Sequence, residues 1–190
     1  MSGLRERTRR AVREEIAEAA LELFVARGYD ATTIDDVAAA VGMSQRSVFR
    51  YFATKEDIVV GKLDLGAEEM LGVLRARPGD EPVWASLRRL FDVVDAREGR
   101  GSVKPIVRMV FETPALLAVY LQRLQILQDD VVKVLLERAE YAADDPAPRA
   151  LTAAAFGCLV AAQHAWLASG ADEPMTRWID RAMDTLTSRV

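Results

Sequence analysis

The chain has 190 residues, 51% of them hydrophobic, and a formal net charge of −4, enough to bury a sizeable core as one domain or two small ones. A single cysteine, Cys158, excludes an intrachain disulfide framework, and one cysteine with one histidine excludes a Cys/His zinc site within the chain. Few aromatics and no alternating apolar pattern predict an all-α protein of about nine helices, with no cofactor and no metal.

The first predicted helix runs from about Arg5 to Arg27, with Val12, Ile16, Ala20, Leu23 and Phe24 on its inner face and Gly28 closing it. Its start is basic: Arg5, Arg7, Arg9, Arg10 and Arg13 stand against Glu6 alone. Such an arm either lies along DNA phosphates or a minor groove, or is a solvated leader. The N-terminus lacks the apolar stretch of a signal peptide, so cytoplasmic residence is expected.

Two short helices follow. Thr33 with Asp36 predicts an N-cap with its reciprocal partner, and Ile34, Val37, Ala38 and Val41 give one buried face. Gly42 sits where the chain leaves that helix with positive φ, and Ser44 is an N-cap for the next. At about 100° per residue, Val48, Tyr51 and Phe52 face the first helix of the pair. Arg46 and Arg50 point away, flanked by Gln45 and Phe49 on one side and Ser47 on the other. A helix-turn-helix reader puts such a second helix in the DNA major groove, where Arg pairs with guanine and Gln with adenine. An ordinary helical hairpin with a solvated face has the same pattern.

The run Ala38…Gly42-Met43-Ser44…Val48-Phe49-Arg50-Tyr51-Phe52…Lys55 resembles the DNA-binding domain of TetR-family transcriptional regulators. The likeness extends upstream through Ala19-Ala20-Leu21-Glu22-Leu23-Phe24 and Gly28-Tyr29-Asp30-Ala31-Thr32-Thr33, and covers about residues 8 to 60. It implies that Gln45, Arg46 and Ser47 face bases, while Thr33, Tyr51 and Lys55 contact phosphates. The family usually has Tyr where this chain has Phe49, which leaves only apolar contact to a thymine methyl or a sugar.

Thr54 with Asp57 predicts a capping box for a fourth helix reaching about Ala76, despite Gly61, Gly66 and Gly72. Those glycines either loosen the helix or lie where helices cross. Pro82 is placed in the first turn of a fifth helix that ends before Gly99, and Arg97 to Ser102 reads as a polar loop. A short sixth helix covers Pro105 to Phe111, and Thr113-Pro114 opens a long seventh. After a loop at 144–148, the eighth helix runs from about Pro148 to Ser169 and the ninth from about Pro174 to Ser188.

Apart from Gln163 and His164, the eighth helix is apolar nearly all round. Its residues are mostly Ala, which drives membrane insertion weakly, so burial on both sides is the reading: a core on one face and a partner on the other. Small side chains at Ala154, Ala155, Cys158, Ala161 and Ala162, with Trp166 beside them, predict a homodimer face. The resemblance likewise implies pairing of the last two helices with their symmetry mates. It also implies an effector pocket enclosed by the fourth to eighth helices. The lining candidates are Met70, Leu74, Trp84, Phe91 and Met109, followed by Phe111, Tyr120, Leu124, Gln163 and His164, though for any one of them core packing is the plainer reading.

Residues 1–55 carry a net +1 and the remainder −5, so the basic surface belongs to the N-terminal part. No nucleophile–base pair, carboxylate pair or phosphate loop has supportive spacing, which excludes an enzyme. The expectation is a reading head over 1–53, with its helix-turn-helix at about 33–52, and an effector and dimerisation domain over 54–190. The function expected is that of a homodimeric, ligand-released repressor on a (pseudo)palindromic duplex operator. The alternatives are a corepressor-dependent regulator, or a dimer of the same fold that works through a protein partner.

Overall fold

The structure, a computed structural model, describes residues 2–63, 66–94, 103–137, 141–142, 144–170 and 173–187. Among them the regular structure is helical, with no strand. The chain divides into two compact units: residues 1–63 with 105–120, and residues 64–104 with 121–190.

In the first unit, α1 (Ser2–Arg27) buries Ile16, Ala20 and Phe24. Against it pack α2 (Ile34–Ala40) and α4 (Lys55–Val60), and α3 (Gln45–Phe49) packs on α2. Val37, Ala38, Val48, Phe52 and Ile58 are buried with them. The helix α7 (Lys104–Glu112) and the start of α8 (Pro114–Leu136) add Val107, Val110, Leu116 and Tyr120.

The predicted helix from Thr54 to Ala76 is broken. α4 passes into a 3₁₀ turn at Gly61–Leu63, and a new helix, α5 (Ala67–Arg75), starts after Gly66. Gly66 has φ +66°, a left-handed backbone that no continuous helix contains and that glycine adopts without a Cβ penalty.

In the second unit, α5 packs on α6 (Val83–Leu90), α6 on α9 (Ala147–Ser169), and α9 most extensively on α10 (Met175–Thr187). Pro82 stands at the N-cap of α6, one position ahead of the predicted first turn. Beyond a second helical stretch at 92–94, the rest of that predicted helix and the whole of the predicted loop at 97–102 lie outside the described residues. Phe91 meets Phe156 edge-to-face, centroids 5.5 Å apart, within a core that includes Met70, Leu74, Leu87, Leu159 and Ile179. Arg88 ties α6 to α10 through Asp180 and also pairs with Asp92 at 2.7 Å. Gly170, at φ +64°, ends α9.

Candidate DNA-reading surface

The head is assembled by local bonds. Thr33 caps α2, with its hydroxyl oxygen accepting from the Asp36 amide at 3.2 Å while the Asp36 carboxylate accepts from the Thr33 amide at 2.7 Å. The Thr33 hydroxyl also donates to Asp36 Oδ2 at 2.6 Å. These bonds from the Thr33 side chain and backbone, with Arg27 nearby, hold the Asp36 carboxyl below the usual carboxylate range. At the other end the Gly42 amide donates to Ala39 and the Met43 amide to Ala38, while Gly42 adopts φ +64°. This Schellman closure turns the chain into Ser44, whose side chain accepts from the Ser47 amide at 3.2 Å and opens α3.

The turn sets the face of α3. Val48 is buried beneath it, whereas Gln45, Arg46, Phe49 and Arg50 are exposed on the outside. Phe49 keeps 45% of its surface in solvent, an exposed aromatic on an otherwise polar ridge. Ser47 and Tyr51 are half-buried at the ridge's sides, and the Ser47 hydroxyl lies 3.0 Å from that of Ser44. Thr33 is exposed at the start of α2.

Lys55 differs from the other predicted contacts. Its ammonium turns inward, donates to the Tyr29 carbonyl and lies 3.9 Å from the centre of the Tyr29 ring. The Tyr29 hydroxyl donates in turn to Glu56 Oε1 at 2.7 Å. Burial first, then this bond, pushes the Tyr29 hydroxyl well above the usual phenol range. For Glu56 burial acts upward, but the bonds it accepts, led by that from Tyr29, outweigh it and lower the carboxyl. This three-residue knot has no spacing signal in the sequence, because 26 residues separate Tyr29 from Lys55.

The other predicted sites are divided. Met109, Phe111 and Tyr120 belong to the first unit, where the rings of Phe111 and Tyr120 stand 6.1 Å apart. Met70, Leu74, Phe91, Leu124 and Gln163 are buried in the second unit, and Trp84 is half-buried there. His164 is exposed, so it leaves the set of pocket-lining candidates. The predicted dimer face also needs correction. Ala155, Cys158, Ala162 and Trp166 are buried inside the protomer, and the Trp166 indole donates to the Glu173 carbonyl at 3.1 Å. Ala154 is half-buried, and Ala161 is exposed with Ala153, Gly157, His164 and Ala168 on the outer stripe of α9. An even apolar coat on a helix carries no angular signal of which side meets the core.

A Gly-turned helix pair that presents Gln45, Arg46 and Arg50 on an uncovered ridge defines a helix-turn-helix DNA-binding regulator rather than an enzyme. Residues 16–60 match the family described as bacterial regulatory proteins, tetR family, and residues 81–190 match the MftR C-terminal domain. The chain is 32% identical to the transcriptional regulator TcmR of Streptomyces glaucescens over 151 residues, 75% of this chain and 67% of that protein. It is 37% identical to the repressor LfrR of Mycolicibacterium smegmatis over 123 residues, 62% of this chain and 56% of LfrR. Its fold is similar to that of Thermus thermophilus FadR, a TetR-family repressor solved with lauroyl-CoA, with a TM-score of 0.60. That likeness spans 92% of this chain and 93% of FadR at 24% identity. The chain belongs to the TetR family of transcriptional regulators.

Proposed function

We propose that the protein is a homodimeric repressor that reads a pseudopalindromic operator with one α3 per half-site and is released by a small-molecule effector. The observation that carries this reading is the exposed ridge of Gln45, Arg46, Phe49 and Arg50 on a short helix fixed at its start by Ser44. Gln45, Arg46 and Ser47 are the proposed base contacts, and Phe49 supplies an apolar contact to a thymine methyl. Thr33 and Tyr51 contact flanking phosphates, and Lys55 joins them only with the donors left over from Tyr29.

Two such helices read adjacent major grooves when about 34–36 Å apart, so the dimer is part of the reading device. The proposed dimer face is the outer stripe of α9, with Ala161 near its middle. The proposed effector site draws on Met70, Leu74, Trp84, Phe91, Leu124 and Gln163 in the second unit, a lining suited to an apolar ligand. The acyl-CoA complex of FadR, which shares the fold, supports a ligand-holding helical domain, and the naming of LfrR as a repressor supports repression. An effector that favours the spread form of the dimer depopulates the DNA-competent spacing.

The test is selection of a duplex from a random pool by the full-length protein, followed by titration of the complex with candidate apolar effectors. Recovery of an inverted repeat whose binding an effector weakens is the expected result. Selection of no sequence, or of a single unrepeated half-site, overturns the reading.

A further inference from the structure

The basic start of α1 is part of the helix itself, which begins at Ser2, fourteen residues before the segment shared with the family. Arg5 and Arg9, one turn apart and separated by about 6 Å along the axis, share a face with Thr8 and Leu4. Together with Arg50 and Tyr51 at the end of α3, these residues line an open groove of about 630 Å³. Three guanidinium groups therefore converge on one concave surface. Among the described residues none of the three has an ion-pair partner, and Arg50 approaches only the ring of Tyr51, at 5.9 Å. Convergent like charges repel one another and focus a positive potential that an anion relieves. The walls between them are apolar: Leu4 is 69% exposed, and Tyr51 presents its ring. A surface that alternates cation and hydrocarbon suits a sugar–phosphate chain better than a free anion, which would use the arginines alone.

We propose that this groove is a second DNA-binding site, in which Arg5 and Arg9 hold backbone phosphates of the strand that runs on past the recognition helix. Leu4 packs on a deoxyribose, and the Thr8 hydroxyl donates to the Leu4 carbonyl at 3.0 Å, within the turn that carries both arginines. Arg50 belongs both to the ridge of α3 and to the groove, so a duplex seated on α3 continues into it without a gap. The inference rests on the reading of α3 as a major-groove helix. The site adds affinity and salt dependence rather than sequence preference, because phosphates carry no base information. Arg13 orients the helix for this role, its guanidinium stacked 4.6 Å from the centre of the buried Phe52 ring.

The experiment compares wild type with R5A/R9A, R5K/R9K and R7A/R10A on the selected operator, by anisotropy across a salt series and by hydroxyl-radical footprinting. All four positions are exposed on a helix and Ala favours helix, so the variants fold, which circular dichroism checks. R5A/R9A is expected to keep the operator sequence but lower the slope of log K against log salt by about 1.8. Its affinity at 0.1 M salt should fall by a factor on the order of ten to a hundred, with loss of backbone protection at the edge of each half-site. R5K/R9K should restore the slope, and R7A/R10A should keep the protection. An unchanged slope and footprint in R5A/R9A overturns the inference while leaving the reading of α3 intact, as does an equal loss in R7A/R10A. A wild-type protein that selects no duplex overturns the reading of α3, and this inference with it.

Discussion

Lys55 holds Tyr29 twice, through a hydrogen bond to its carbonyl and through its ammonium 3.9 Å from the ring centre. That ammonium joins the connector between α1 and α2 to the start of α4 and leaves fewer donors for DNA. Lys55→Ala is therefore expected to destabilise the free protein by about 1–2 kcal/mol, in addition to weakening DNA binding. Thermal denaturation without DNA checks it: a side chain serving phosphates alone leaves the melting temperature unchanged.

Arg46 stands out on the ridge and, among the described residues, supports nothing inside the head. Arg46→Ala should leave the melting temperature in place, cost about 1–3 kcal/mol on the selected operator and relax preference at one position per half-site. Operator libraries scored against both proteins measure this. Wild-type affinity and preference in the variant would remove Arg46 from base contact.

Gly66 and Gly72 should respond in opposite directions to the same substitution. At Gly66 the backbone sits at φ +66°, and an alanine there carries a left-handed penalty of about 1–2 kcal/mol. At Gly72, inside α5, a Cβ meets nothing within 4 Å, so Gly72→Ala should stabilise by about 0.5–1 kcal/mol. Denaturant midpoints of the two variants on either side of wild type are the expected outcome. A stabilised Gly66→Ala would mean that α4 and α5 join into one helix.

Neighbouring alanines on α9 separate assembly from folding. Ala161 is exposed in the protomer, so Ala161→Glu should yield folded monomers that lose the full operator. Ala162 is 2% exposed, and a carboxylate there should unfold the second unit itself. Sedimentation read beside circular dichroism distinguishes the two. A dimeric Ala161→Glu protein moves the interface to another face.

Asp36 and Glu56 both titrate below the usual carboxylate range, Asp36 through its bonds with Thr33 and Glu56 through accepted bonds that overcome its burial. A lowered folded pKa stabilises the native state above the unfolded value, and that stability is lost as pH falls through the folded one. The head should thus lose melting temperature below about pH 4. Asp36→Asn should start from a lower melting temperature at neutral pH and fall less steeply on acidification. A parallel fall in both proteins would assign the acid sensitivity elsewhere.

The features readable in the sequence are those decided within a few residues. Thr33 with Asp36, Thr54 with Asp57, and Ser44 ahead of α3 were legible as caps because a side chain three positions away meets the same orphan amide wherever the helix lies. Gly42 was legible for the same reason, standing between two capped helices where the chain has to turn. The exposed ridge of α3 followed from the angular spacing of Val48 against Arg46 and Arg50, an amphipathic contrast strong enough to set its own phase. Gly66 sits inside an apolar period that continues on both sides, so nothing local announced its left-handed backbone or the end of α4. On α9 the apolar coat was too even to choose a face, and only packing on α6 and α10 turned Ala155, Cys158 and Ala162 inward and Ala161 outward. Lys55 turned away from solvent because folding brought it a ring and a carbonyl from the connector after α1. Partners distant in the chain are selected by packing geometry, which only the tertiary structure supplies.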